Sequence, residues 1–228
     1  MLIRMEFAKG APLKFLSHLD LMRTFQRIFR RAALPLAYSQ GFNPHPKIAF
    51  SPALPVGAAS QCEYLDVELD AQMSGDEILT RMNRQLPEGL EIKKIKEVSQ
   101  PADALNAIIN RAEYTVYFQT KLSEAEVAQY LEELLKREEI IIEKRSKKGI
   151  KKKNIRPGIY KLNCQQETAG MCIDMVVQTG SDGNVRPEQI LDFLRNECNL
   201  AITEARITRT GLYVYADGHY KTPLEVVA

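Results

Sequence analysis

The order of strand and helix signals constrains this chain more than any single motif does. Residues 2–8 alternate between apolar and polar side chains, which is typical of a half-buried strand. Ser17, Ser74 and Ser123 are each followed three residues later by an acidic side chain, the capping-box pattern of a helix start. Pro187 suits the first position of a further helix. With the strands between them, these signals give the order strand, helix, strand, strand, helix, strand twice.

This repeated order predicts an α+β fold made of two tandem ferredoxin-like units. We place the first unit at residues 1–100, a linker at residues 101–111 and the second unit at residues 112–228. The first unit contains a proline-rich loop at residues 38–57, and the second contains a basic loop at residues 144–156. The two halves are not visibly similar in sequence, so a single larger mixed domain is the alternative.

The composition is that of an ordinary globular protein, with 45% hydrophobic and 26% charged residues among 228. This balance argues against disorder over most of the chain. No run approaches the roughly 18 apolar residues of a membrane span, and the first residues show no basic region followed by an apolar core. We therefore expect a cytoplasmic protein with no membrane partner.

The cysteines indicate neither a metal site nor a cofactor. Cys62, Cys164, Cys172 and Cys198 are widely spaced, and the sequence contains no CxxC pair that would favour zinc or an iron–sulfur cluster. Without an export signal, we expect four reduced and mostly buried thiols. No metal or cofactor is predicted.

Two basic segments matter more than the net charge of +2. The arginines of the first helix recur every three or four residues and so share one face. Residues 144–156 hold eight cations and no acid, and we predict a mobile loop there. Both segments predict largely sequence-independent contact with an RNA backbone, although a solvated helix face and a solubilising loop are the alternatives. The predicted nucleic-acid-binding residues are Arg23, Arg27, Arg30, Arg31, Lys47, Lys147, Lys148, Lys151, Lys152, Lys153 and Arg156.

The proline-rich loop is predicted to be stiff. Pro44 and Pro46 fix their own backbone and restrain Asn43 and His45 before them in an extended form. Because a stiff loop loses little entropy on binding, we predict a recognition loop. Its predicted contact residues are Gln40, Phe42, Asn43 and His45. The alternative is that the loop packs between the two domains with Phe42 buried.

His18 and His45 form a weaker constellation. Two histidines can cleave RNA without metal, one as base and one as acid. We expect instead that His18 caps or packs near its helix start, and that His45 makes a hydrogen bond within the loop. Catalytic residues are therefore not predicted, and the two histidines remain an alternative.

Acidic side chains of the first sheet form another weak constellation. Glu6, Asp66 and Glu68 could share its exposed face with Arg4 and Tyr64 and hold a divalent cation. Charges on a wet or domain-facing sheet surface are the expectation. The same face lacks the paired aromatic residues on which RNA-recognition sheets stack bases.

Four segments carry a family resemblance: FLSHLD at 15–20, YSQGFNPHPK at 38–47, LPVG at 54–57 and EYLDVEL at 63–69. They resemble the radical SAM-linked protein family, an uncharacterised bacterial family. Its members are encoded beside a radical S-adenosylmethionine (SAM) protein or fused to its C-terminus. The resemblance implies a radical SAM protein as partner and implies no activity. This chain lacks the CxxxCxxC signature and so cannot itself hold the radical enzyme's cluster.

A looser likeness is to CRISPR RNA-processing endoribonucleases of the repeat-associated mysterious protein superfamily, which also pair two ferredoxin-like units. Their glycine-rich C-terminal loop is poorly matched here by Gly211 and Gly218. We expect a non-catalytic RNA-binding accessory subunit of a radical SAM enzyme that modifies RNA or a ribonucleoprotein. A metal-independent endoribonuclease using His18 and His45, and a protein–protein adaptor without nucleic acid, are the alternatives.

Overall fold

The computed structural model describes residues 1–146, 149–168, 170–198 and 200–227, and it shows a mixed α+β protein, as predicted. The helices in the described part are α1 (His18–Arg31), α2 (Gly75–Asn83), α3 (Leu105–Ile108), α4 (Glu124–Lys136) and α5 (Pro187–Glu197). None of the described helices is long and apolar enough to cross a membrane.

The strands are mostly long and antiparallel. They are β1 (Leu2–Lys9), β2 (Ile48–Phe50), β3 (Ala59–Glu68), β4 (Leu90–Val98), β5 (Arg111–Gln119), β6 (Ile141–Ser146), β7 (Gly149–Asn154), β8 (Ile159–Glu167), β9 (Gly170–Gln178), β10 (Thr203–Ala216) and β11 (His219–Lys221). Nine of them form one sheet with the order β4-β1-β3-β10-β5-β9-β8, in which β2 also pairs with β3 and β11 with β10. The strands β6 and β7 form a separate hairpin.

The helix starts follow the predicted capping signals. The Ser17 hydroxyl accepts a hydrogen bond from the Asp20 backbone N–H at 3.2 Å, and Ser74 does the same for Glu77. Ser123 has the complete capping box, because the Glu126 side chain also accepts from the Ser123 backbone N–H. The three predicted caps are therefore confirmed.

The four longer helices cover one face of the sheet. Buried side chains of α1 and α2 pack with Phe7 and its neighbours on β1, and those of α4 and α5 pack with Val116 on β5. Phe7 on β1 lies opposite Glu63 on β3, and Tyr114 on β5 lies opposite Arg209 on β10. Glu63 and Arg209 contact each other across the join of the two halves. Since register partners point to the same side of a sheet, the helices of both halves lie on the same side.

The two halves are joined by a short parallel pairing. Only Thr208 with Ala59 and Arg209 with Ser60 are in register between β10 and β3. All the other strand pairs in the described part are antiparallel. The local sequence patterns do not predict this join, because the two strands are far apart in the chain. Ser60 and Arg209, which are linked by a hydrogen bond at the join, are 149 residues apart in the sequence.

The described part of the basic segment is mostly paired strand, with residues 144–146 on β6 and residues 149–154 on β7, which corrects the prediction of a loop there. Its two strands are anchored at their open end, where Ile140 and Ile155 are both buried. The Ile155 backbone N–H donates to the Ile140 carbonyl at 2.9 Å, and the Asn154 side chain accepts from the Ile140 N–H at 3.0 Å. Burial of the two isoleucines therefore stabilises the base of two paired strands in a segment whose charge suggested a loop.

The segment predicted as a linker, residues 101–111, contains α3. Leu105 and Ile109 are fully buried in the core of the second half, and Arg111 already begins β5. The chain therefore passes between the halves along a packed path.

Candidate functional site

The proline-rich loop is fixed at its base and leaves its aromatic tip in solvent. Tyr38 and Pro46 form an antiparallel bridge. The Ser39 N–H donates to the His45 carbonyl at 2.9 Å, and the Ser39 hydroxyl accepts from the His45 N–H at 3.0 Å. Phe42 is fully exposed, so the alternative in which it is buried between domains is wrong. The other predicted contact residues, Gln40, Asn43 and His45, are exposed as well.

The predicted arginines of α1 all reach solvent, but they differ in their partners. Arg23 lies 3.4 Å from Asp20 on the same helix, and Lys47 lies 2.7 Å from Glu68. The remaining arginines form no ion pair with any described residue; they are Arg27, Arg30 and Arg31. The structure therefore leaves three of these cations free to meet an external anion.

Two of these arginines line a groove between α1 and the turn that follows α2. The groove has a volume of about 430 Å³. Arg27 and Arg31 line it one helical turn apart, and Arg84, the C-cap of α2, joins them. The other lining residues are Thr24, Ile28, Gln85, Leu86 and Pro87, so no acidic residue is among them. Sequence reasoning missed Arg84 because only the packing of α1 beside α2 brings it there.

The lysines of the hairpin are exposed on β7. Lys153 donates to the Asn184 carbonyl at 3.2 Å, whereas Lys151 and Lys152 make no ion pair with a described residue. The register places Lys152 opposite Glu143 and Lys151 opposite Lys144. Lys147 and Lys148, also predicted here, lie outside the described residues.

Arg156, in contrast, is engaged within the fold. Its Nε and Nη2 donate to the Leu135 carbonyl at 3.2 and 2.5 Å, and its Nη1 donates to the Ile159 carbonyl at 2.9 Å. The guanidinium thus ties the base of the hairpin to the end of α4. We therefore leave Arg156 out of the candidate binding surface.

The two candidate catalytic histidines lie at opposite ends of β2. The His18 ring packs edge-on against Phe50, with centroids 5.6 Å apart, whereas His45 precedes the strand in the exposed loop. Phe50 follows His45 by five steps of nearly extended chain, which corresponds to roughly 16 Å. No hydrogen bond or ring contact joins the two histidines, both of which the structure describes, so they are not arranged around one phosphodiester.

Half-burial of His18 predicts a loss of stability in weak acid. Burial lowers the pKa of His18 below 6.5, and the charge of Glu63 only partly offsets this. The unfolded state then takes up the proton first, so the free energy of unfolding falls as the pH drops below the unfolded value of about 6.5. We expect His18→Phe to lose less stability than wild type between about pH 8 and about pH 5, measured by urea unfolding. Equal losses in the two proteins would contradict this role.

Two of the charged residues considered as a possible cation site on the first sheet, Arg4 and Asp66, form a buried ion pair instead. Arg4 holds Asp66 with two hydrogen bonds, of 2.8 and 2.9 Å, and it donates a third to the Pro223 carbonyl. Of the expected wet or domain-facing surface, Asp66 fits only the second description, because it is buried where Arg4 meets the C-terminal segment. Glu68 pairs with Lys47. The described residues contain no group of acidic, histidine or cysteine side chains that could hold a metal.

A second buried ion pair fixes the seam between the halves. Arg209 on β10 contacts both carboxylate oxygens of Glu63 on β3, at 2.9 and 3.0 Å. It also donates to the hydroxyl of Tyr114 and to the carbonyls of Pro52 and Ala53. Burial alone would lower the pKa of Arg209, but Glu63 and Tyr114 raise it, so the guanidinium stays charged.

Lys9 extends the polar cluster at this seam. It is almost fully buried, and its ammonium donates to the carbonyls of Lys14 and Leu16 at 3.4 and 3.3 Å. Burial lowers the pKa of Lys9, with Glu63 acting in the opposite direction. The lysine thus supports the turn that leads into α1, which is a structural role.

The open face of the second half carries aromatic rings that the sequence prediction missed. The Arg111 guanidinium lies 3.8 Å from the centroid of the Tyr160 ring and 4.7 Å from that of Tyr215. The Tyr220 ring lies 4.7 Å from Tyr215 and 5.5 Å from Tyr213. We call these five residues the tyrosine–arginine surface. The alternation of Tyr213 and Tyr215 along β10 is visible in the sequence and indicates two rings on one face. The residues that contact them could not be predicted, because they lie on β5, β8 and β11.

One ring of this surface depends on a glycine. A Cβ atom added at Gly211 would lie 2.3 Å from the Tyr213 ring. The Tyr213 hydroxyl donates to Glu113 at 3.0 Å, and burial together with Glu113 raises the pKa of Tyr213. The hydroxyl therefore stays protonated at neutral pH, and the ring is held in a fixed orientation.

All four cysteines are free, as expected. Cys62 and Cys172 are buried, and burial raises their pKa values to about 12 and about 11. Cys164 and Cys198 are half-buried, and burial raises their pKa values too. Raised thiol pKa values disfavour the thiolate that metals and nucleophilic chemistry need.

The fold and its surfaces define a mixed α+β protein with exposed basic and aromatic groups. The chain belongs to the family described as "Uncharacterized protein conserved in bacteria (DUF2344)", whose model matches residues 2–187. The prediction of an uncharacterised bacterial family is confirmed by this match. No curated protein matches the sequence.

Two solved structures resemble the chain weakly. One is a chain of the "Crystal Structure of a Cbf5-Nop10-Gar1 Complex", with 11% identity and a TM-score of 0.48 over 92% of this chain and 48% of that one. The present chain thus spans about half the length of that protein. The other is an unknown protein from Galdieria sulphuraria, with 12% identity and a TM-score of 0.27 over 91% of this chain and 97% of that one. Neither score is high enough to support an inference about function.

Proposed function

We propose that this chain is a non-catalytic RNA-binding accessory subunit of a radical SAM enzyme. The observation that carries the RNA part is the set of exposed α1 arginines without acidic partners among the described residues: Arg27, Arg30 and Arg31. Like charges on one helix face repel each other. A bound polyanion neutralises these charges, and the counterions that it releases add a favourable entropy to binding. A nucleic-acid backbone is the common partner with this property.

Two other surfaces support the same proposal. The exposed lysines of β7 offer a second basic element on a hairpin that stands apart from the main sheet. The tyrosine–arginine surface offers two exposed rings, Tyr160 and Tyr220, for stacking of unpaired bases, and such stacking is worth about 1–3 kcal/mol per base. These contacts read the backbone and the flat faces of bases, so binding should depend little on sequence.

The tip of the proline-rich loop supports a protein partner. Phe42 is fully exposed on a loop held by backbone hydrogen bonds, and residues 38–46 contain no lysine, arginine, aspartate or glutamate. A rigid aromatic side chain with uncharged neighbours fits the centre of a protein interface better than a phosphate backbone. The family resemblance of residues 38–47 suggests that this partner is the radical SAM protein.

The finer description of the fold belongs to the same proposal. We infer that each half is a ferredoxin-like unit. In the first half the order is β4-β1-β3-β2, and in the second it is β10-β5-β9-β8. Both orders follow the fourth, first, third, second sequence of strands in a βαββαβ unit, with antiparallel neighbours.

RNA binding should depend on the unpaired cations. We expect that changing Arg27, Arg30, Arg31, Lys151 and Lys152 to glutamine weakens binding of unrelated single-stranded RNAs. The slope of log K against log salt should become shallower by about 0.7 for each phosphate that the variant no longer neutralises. Filter binding at several salt concentrations measures both quantities.

Lys136→Gln is the matched control, because Lys136 is exposed but paired with Glu132 on α4. It should change neither the affinity nor the slope. If the five-residue variant binds RNA like wild type, the RNA part of the proposal fails. Binding to the radical SAM protein without any RNA affinity would then favour the adaptor, the second candidate function, which the exposed Phe42 also supports.

A further inference from the structure

We propose that the groove lined by Arg27, Arg31 and Arg84 is a binding site for one phosphomonoester group, the terminal phosphate of an RNA strand. The inference deepens the proposed function, on which it rests for the identity of the strand. The groove would hold one phosphate group, whereas the other exposed cations would attract the phosphate backbone of RNA along its length.

The three guanidiniums are available to a ligand. Arg27 donates one hydrogen bond, to the Thr24 hydroxyl at 3.2 Å, and that hydroxyl in turn donates to the Asp20 carbonyl. The guanidiniums of Arg31 and Arg84 have no hydrogen-bond or ion-pair partner among the described residues. Each guanidinium has five N–H donors, and most of these donors around the groove are therefore unused.

The charge of the groove favours a dianion. Three arginines remain positively charged at any physiological pH, and the described lining includes no acid. A phosphomonoester carries a charge of about −1.5 to −2 at pH 7, whereas each internal phosphodiester carries a single charge. The terminal phosphate therefore offsets more of the mutual repulsion of the arginines than an internal one.

The shape of the groove adds to this preference. Arg27 and Arg31 project from one helix, while Arg84 is at the end of another, so the cations approach from two sides. Apolar groups of Ile28, Leu86 and Pro87 also line it. Guanidinium groups that approach a phosphate from different directions can each donate charge-assisted hydrogen bonds to it. The attached ribose or base can pack on the apolar part of the groove.

A structural role for the same arginines predicts something different. Arg31 and Arg84 lie at helix C-termini, where a cation interacts favourably with the helix dipole. In that role, replacing Arg84 would slightly change stability and would leave any preference for a phosphate terminus untouched. Ligand discrimination therefore separates the two roles.

The test compares RNAs of one sequence that end in a 5′-phosphate, a 3′-phosphate or hydroxyls at both ends. Fluorescence anisotropy with wild-type protein should show tighter binding of a phosphorylated RNA by about tenfold. Arg84→Gln should abolish that preference. Arg30→Gln is the control, because Arg30 is exposed on α1 but does not line the groove; it should weaken all three RNAs equally and keep the preference. The two phosphorylated RNAs show which end is held.

The outcomes separate this inference from the proposed function. If wild type binds all three RNAs equally, or if Arg84→Gln weakens all of them equally, the groove is not a monoester site, although RNA binding stands. If no RNA binds, the proposed function fails. A nucleoside monophosphate that binds wild type but not Arg84→Gln would then still support the groove, and its failure to bind would overturn the groove as well.

Discussion

Replacing Arg209 with methionine is expected to lower the free energy of unfolding by about 3–5 kcal/mol. Arg209 is fully buried at the seam between β3 and β10, and the variant would leave Glu63 charged, buried and without its ion-pair partner. The carbonyls of Pro52 and Ala53 would also be deprived of a donor. The Arg209–Glu63 pair lies where β3 and β10 have only two residue pairs in register, so the variant removes interactions from the point at which the two halves of the sheet meet.

Denaturant unfolding of three further variants checks the cause. The double variant Arg209→Met with Glu63→Gln should regain part of the loss, because it removes the uncompensated charge. Lys47→Met breaks the exposed pair with Glu68 and should cost less than about 1 kcal/mol. Glu68→Gln should behave like Lys47→Met. A loss below about 1 kcal/mol for Arg209→Met itself would contradict a structural role for the seam.

Replacing Phe42 with serine is expected to weaken binding to the proposed partner, a radical SAM protein, by about 2 kcal/mol or more while the unfolding free energy stays within about 0.5 kcal/mol. We expect a large effect on binding and a small effect on stability because the Phe42 side chain is exposed. Phe42 contributes no buried surface to the folded chain, so its removal leaves no cavity. At an interface, however, an aromatic side chain presented by a rigid loop can contribute a large share of the binding energy.

Phe15→Ser provides the matched control, because Phe15 is also an exposed aromatic of the first half but lies outside the loop. Both variants should unfold like wild type, and only Phe42→Ser should lose binding in a titration with the purified radical SAM protein. Asn43→Ala and His45→Ala should leave stability within about 1 kcal/mol and lower the affinity less than Phe42→Ser. If all these variants bind like wild type, the loop is scaffold and the partner surface lies elsewhere.

Local sequence located most elements of the fold, although α3 and β7 were missed. The serine caps at Ser17, Ser74 and Ser123, and the alternation along β1, act within a few residues of the chain, so the pattern alone locates them. The exposure of Phe42 was harder to predict, because an aromatic residue in a proline-rich loop fits burial and recognition equally well. Only the path of the loop away from the core decides between them.

Charge patterns predicted the exposed cations correctly on a single helix, and they were misleading where a cation forms hydrogen bonds within the fold. The arginines of α1 share a face because of helical spacing alone, and three of them have no ion-pair partner in the described part of the chain. Arg156 belongs to an equally basic run, yet its donors are used by carbonyls of Leu135 and Ile159. The described part of the run also lies mostly on paired strands, because Ile140 and Ile155 are buried at their base while Lys151, Lys152 and Lys153 remain exposed.

Local patterns in the sequence thus predict the α+β class, the order of strands and helices, the stiff loop and the basic face of α1. Three features depend instead on tertiary packing: the join of β3 to β10, the groove that brings Arg84 to Arg27 and Arg31, and the contacts of Arg111 with the rings of Tyr160 and Tyr215. The physical reason is range. Capping and periodicity act between neighbours in the chain, whereas these sites need side chains from distant strands and helices, and only the packed sheet and its helices set those distances.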